Sequence, residues 1–251
     1  MGRRVRSVQS HERISHAIPF NERWGGYFVT NASVSMKHMG NAFAVRENGQ
    51  IKLDVVSHSE KTDLSEYFQS SKLLRADSDV VNLMLFDHQI ELHSLLIEAR
   101  YRERISQYWA GKNGGNIPES TLADTDKFIK KLVRYMLFAD EVSLDGHTVK
   151  RNTEFEKDFF ANKRVDADGN SLPDFDLKTR LFKNRLSYMI YSQGFENAPQ
   201  FMKDRVYKGL WDILTPKTAP EGYDYFDEGE REQIVSILRA SKDDLPDYWK
   251  G

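Results

Sequence analysis

Seven histidines and no cysteine set the chemistry open to this 251-residue chain. An imidazole can carry a proton near neutral pH or donate to a metal, and a methionine thioether can join it as a second kind of donor. Two stretches hold such groups close together: His38 followed by Met39, and His88 followed five residues later by His93. His88 lies among Met84, Leu85, Leu92 and Leu95, so helical spacing turns it toward a core. A buried imidazole must find partners there or lose its charge. Five residues at about 100° each set His93 about 140° around the helix from His88, so one metal ion is poorly gripped by both. They serve two different sites, or one of them is structural. The order His88-x-x-Glu91 does not match the Glu-x-x-His pairs of carboxylate-bridged iron proteins, and no second helix carries a histidine, which excludes that site.

Other constellations read more plainly. Asp166, Asp168 and Asn170 share the first three side-chain spacings of a calcium loop. Gly169 falls two places early, however, with Ser171 in the sixth position and Leu177 in the twelfth, so a turn is expected. Arg180 and Arg185 lie among Leu181, Phe182, Leu186 and Tyr188, the pattern of an amphipathic helix whose arginines pair with Asp174 or Asp176. The lack of cysteine excludes disulfides, zinc ribbons, thiol nucleophiles, cysteine-held iron–sulfur clusters and thioether-linked haem. Gly-x-Ser-x-Gly, the phosphate loop, Gly-x-Gly-x-x-Gly and His-Glu-x-x-His are all missing. Serines near His11, His16 and His58 form no recognisable triad. A metal-dependent hydrolase using His38, His88 and nearby carboxylates is the enzymatic reading that these residues allow.

The elements that must position these groups divide into two stretches. Residues 1–75 read as irregular and β-containing. Trp24 to Thr30 has the content of a strand, and Ala42–Val45 with Ile51–Val56 flank an Asn48-Gly49 turn that predicts a hairpin. Residues 76–251 read as a helical domain, with helices over 79–109 (capped by Asp77 or Ser78), 120–138, 152–160, 176–191, 199–214 and 227–239. The expected fold is mainly α, about six helices in one domain with a small β-containing N-terminal appendage. Charge nearly balances at −2, so no general electrostatic pull toward nucleic acid is expected, and Arg3, Arg4 and Arg6 read as a solvated tail. No apolar run reaches the ~20 residues of a membrane span, nor is there the apolar stretch of a signal peptide. Read literally, the chain is cytoplasmic.

A set of phrases resembles a known family. They are Arg23–Thr30, Lys37-His38-Met39-Gly40-Asn41, Asp79–Gln89, Leu132–Phe138, Phe175–Phe182, Ser187–Ser192 and the closing Leu245-Pro246-Asp247-Tyr248-Trp249. Together they resemble the C-terminal portion of an uncharacterised family of exported bacterial proteins of the cytochrome c type. In that family a Cys-x-x-Cys-His haem-attachment segment lies just ahead of the region corresponding to Gly2–Val8. The resemblance implies a redox or electron-transfer domain, either a fragment or a haem-less member. It also implies a periplasmic or exported address, and a haem-bearing segment or redox protein as partner. His38, Met39, His88 and His93 are types that ligate haem iron axially, and His38 or Met39 with His88 are the ligands it points to. The rival reading is a non-catalytic interaction or structural module. It rests on the missing catalytic motifs and on the aromatic-rich ends, Trp24, Tyr27, Phe28, Tyr248 and Trp249.

Overall fold

A computed structural model describes residues 14–55, 62–65, 67, 69–73 and 75–250. His11, His58 and the arginines at 3, 4 and 6 lie outside the described residues. The fold is mainly α, with six α-helices and one two-stranded antiparallel sheet near the N-terminus among the described residues. The chain forms two compact units, neither continuous in sequence. The first comprises Met1–Ile90, Glu141–Ala161 and Asp176–Leu181; the second comprises Glu91–Asp140, Asn162–Phe175 and Phe182–Gly251.

In the first unit, β1 (Ala42–Glu47) pairs with β2 (Gln50–Val55) in the expected hairpin. Its two turn residues are both left-handed, Asn48 at φ 50° and Gly49 at φ 78°, which is the turn that Asn-Gly favours. The expected strand over Trp24–Thr30 does not form. Trp24 (φ 64°) and Gly26 (φ 86°) turn the chain back on itself, the Tyr27 amide bonds the Trp24 carbonyl, and only Thr30 pairs, in an isolated bridge to Asp79. Helix α1 (Val80–Lys112) begins in this unit. Its cap is Asp79 rather than Asp77 or Ser78: the Asp79 Oδ1 accepts from the Val81 amide at 2.9 Å. Helix α3 (Thr153–Phe159) is capped by the Asn152 side chain, which accepts from the Phe155 amide.

The second unit holds the remainder of α1, α2 (Glu119–Met136), the single turn α4 (Gln193–Glu196), α5 (Gln200–Leu214) and α6 (Glu228–Ser241). Leu92, Leu95, Leu96 and Ala99 join Leu132, Val133, Tyr207, Leu210, Ile234 and Trp249 in one core. Gly209 lets α5 close on α2, since a Cβ there would stand 3.0 Å from a Val133 methyl. The expected helix over 176–191 is absent. The Asp176 carboxylate accepts from the Lys178 and Thr179 amides and from the Thr179 hydroxyl, a local turn that competes with helical bonding. Leu177 is left-handed at φ 58°, and the stretch ends in a 3₁₀ turn over Tyr188–Tyr191. Arg185 therefore finds neither Asp174 nor Asp176. It grips the Glu230 carboxylate with Nε at 3.0 Å and Nη2 at 2.5 Å, and stacks on Tyr225 and Phe226.

Candidate functional site

The first turns of α1 place Asp87 and His88 side by side on the buried face that Val81, Met84 and Leu85 define. His88 is fully buried. Its Nδ1 lies 2.8 Å from the Nδ1 of His16, and the two rings stack with centroids 5.1 Å apart. At that distance one Nδ1 donates and the other accepts, so the rings are opposite tautomers at this atom and protonating both is barred. Burial first, and the neighbouring His16 second, hold His88 well below its ordinary pKa of 6.5. His88 is therefore neutral at pH 7.

Asp87 faces a different set of groups. Arg23 stands 3.4 Å away, with both side chains only 5% exposed, and the Trp24 indole donates to the same oxygen at 3.0 Å. Arg23 is held in turn by the carbonyls of His16 (2.6 Å) and Ile18 (2.5 Å) and lies over the Phe20 ring. Burial pushes the Asp87 carboxyl up to about 6, against the pull of Arg23 and Trp24. The whole cluster is the kind of buried polar network that fixes one packing of a core.

The phrases Arg23–Thr30 and Lys37–Asn41 interlock beside it. The Met39 amide bonds the Arg23 carbonyl and the Asn41 amide bonds the Tyr27 carbonyl. The Asn41 side chain accepts from the Val29 amide and donates to the Val29 carbonyl. Gly40 has no room for a side chain, because a Cβ would stand 2.5 Å from Val29. His38 is buried, its Nδ1 accepting from the Gly40 amide at 3.1 Å and its ring set edge-on to Trp24. The half-buried Met39 packs over Gly25. His93 belongs to the second unit, exposed near Gly194.

His38, Met39 and His88 thus share the first unit, but their described contacts go to different partners. No three of the described His, Asp and Glu side chains gather to hold a metal ion. A haem ligated as the resemblance implies does not fit this packing of the described residues: the His88 side chain is fully buried and its ring is stacked on that of His16. The acidic loop is the expected turn. Asp166 Oδ1 accepts from the Asp168 and Asn170 amides, and its Oδ2 from Gln233. In the second unit, Asp244 accepts from Lys203 and Tyr207 and pairs with Lys242. Burial alone would raise its pKa, but these partners hold it at about 2.

A second feature lies on the outer face of α1 in the second unit. Ile97 (44% exposed), Tyr101 (60%), Ile105 (50%), Tyr108 (59%) and Trp109 (40%) face solvent. The first four follow one another at spacings of four, four and three, which makes a single stripe. Tyr101 lies about 160° around the helix from the buried Ala99, so α1 has one apolar face in the core and another in water. Arg104 reaches over Tyr101 and Lys112 over Tyr108. Glu98 on the same face is neutralised by Arg102 at 2.8 Å. The stripe was not legible from the inward positions alone. The apolar residues at 97, 101, 105 and 108, half a turn from 92, 95, 96 and 99, were the signal available. Of the aromatic ends, Trp24 and Trp249 are core residues, whereas Tyr27 and Tyr248 are exposed. No helix among the described residues is long and apolar enough to cross a membrane. No known protein family, curated protein or solved structure matches the chain.

Proposed function

We propose that the chain is a non-catalytic interaction module, a helical scaffold that offers the outer stripe of α1 to another protein. One observation carries the reading: four large apolar side chains on one helix face, at 97, 101, 105 and 108, with Trp109 at its edge, are each at least 40% exposed. At full areas of ~150–250 Å² per aromatic side chain, the stripe leaves on the order of 500 Å² in water. That is as large as the largest patch on a typical monomer, and patches of this size are often functional. In the first unit His16 with His88, and Arg23 and Trp24 with Asp87, are instead engaged with one another inside the core. The redox role that the resemblance implies would require this core to open, since His88 is fully buried and stacked on His16.

Site-specific photo-crosslinking in the producing cell tests this. A photoreactive residue at position 105 is expected to give one discrete protein adduct, and the same residue at the exposed Lys178 none. Equal, diffuse labelling at both positions would overturn the reading.

A further inference from the structure

The stripe also carries information about what covers it, and this inference rests on the interaction reading above. Exposed Arg100, Arg104 and Lys112 border the apolar positions, while Glu98 is spent on Arg102. The border is therefore basic around an apolar seam. From Ile97 to Lys112 the face runs sixteen residues, about 24 Å at 1.5 Å per residue, the length of a four-turn partner helix. A second copy of the chain suits this face poorly. Antiparallel pairing about a two-fold axis sets like flanks together, which would bring Arg100 and Arg104 against the same arginines of the mate. Like charges so placed disfavour a partner. Parallel pairing would set Arg100 against Ile105 and leave its charge without a counterpart.

We infer that the α1 stripe binds an amphipathic helical segment of a partner protein whose apolar seam is flanked by carboxylates. Tyr101, Ile105 and Tyr108 supply the apolar contact. Arg104 and Lys112, held against the tyrosine rings, meet the acidic flanks.

Fluorescence anisotropy on the full chain tests this with three labelled probes: an eighteen-residue helical peptide with a leucine seam and glutamate flanks, the same seam with lysine flanks, and a single-stranded oligonucleotide. The glutamate peptide is expected to bind about ten-fold or more tightly than the lysine peptide. The double variant Arg104→Glu, Lys112→Glu should reverse that preference, and Tyr101→Ser with Tyr108→Ser should abolish binding of both. Thermal melts establish that the variants remain folded. Equal binding of the two peptides, or preferential binding of the oligonucleotide, would overturn the inference. If neither peptide binds while position 105 still crosslinks to one protein, the acidic-helix inference fails and the interaction reading stands. If position 105 yields no discrete adduct either, both fail.

Discussion

Replacing Asp87 by Asn removes a titration that the fold displaces, and the effect can be worked from the surroundings of that carboxyl. Burial holds it at about 6 in the folded chain, against an ordinary value of 3.8. The gap, at about 1.36 kcal/mol for each pH unit, amounts to about 3 kcal/mol. The folded pKa is the raised one, so the folded state binds the proton more readily. Asp87 therefore contributes stability that is full below pH 3.8 and is lost as pH rises through 6. The Asn variant lacks this dependence. Whatever constant offset the missing charge leaves against Arg23, the variant gains on the natural chain by up to about 3 kcal/mol between pH 4 and pH 7. Urea unfolding of both proteins across that range measures it. Trp24, which bonds Asp87 directly and is the one tryptophan of the first unit, provides a local fluorescence signal. A difference between the two proteins that stays flat with pH, or runs the opposite way, would refute the claim that burial dominates at Asp87.

His88 should show the opposite sign in the same assay. Its folded pKa is depressed, so its contribution is present above pH 6.5 and lost as pH falls below that value; His88→Gln is expected to lessen the acid sensitivity of the first unit. Gly40→Ala, with a Cβ driven to 2.5 Å from Val29, should destabilise by about 1–3 kcal/mol in denaturant unfolding. Tyr101→Ser and Tyr108→Ser should each change stability by no more than about 0.5 kcal/mol, whereas Leu92→Ala on the opposite face should lose about 2–5 kcal/mol; calorimetry separates these.

Much of the fold could be read from periodicity. The inward positions 81, 84, 85, 88, 92, 95 and 96 of α1 are all buried, and Asn48-Gly49 forms the hairpin turn that its dipeptide favours. Failures came where side chains outcompete period. The Asp176 carboxylate organises a turn that no apolar spacing announces, and Trp24 adopts a left-handed backbone within a stretch composed like a strand. The candidate site was legible only in part. Sequence spacing turned His88 inward, but its partner His16 is seventy-two residues away and carries no local mark. Arg23 and Asp87 are a long-range pair of the same kind. Such partners are set by tertiary packing, which one sequence read locally does not encode in any spacing.

The central claim is that the outer face of α1 is covered in the cell and that His16, His38 and His88 are part of the core. Hydroxyl-radical footprinting of tyrosines, performed in living cells and on the purified chain, tests this most directly. Tyr207, fully buried, serves as the protected reference, and Tyr27, 48% exposed, as the open one. The account predicts that Tyr101 and Tyr108 are modified readily in the purified chain and are protected in the cell, with both references unchanged. Equal modification of Tyr101 and Tyr108 in the two settings would contradict it.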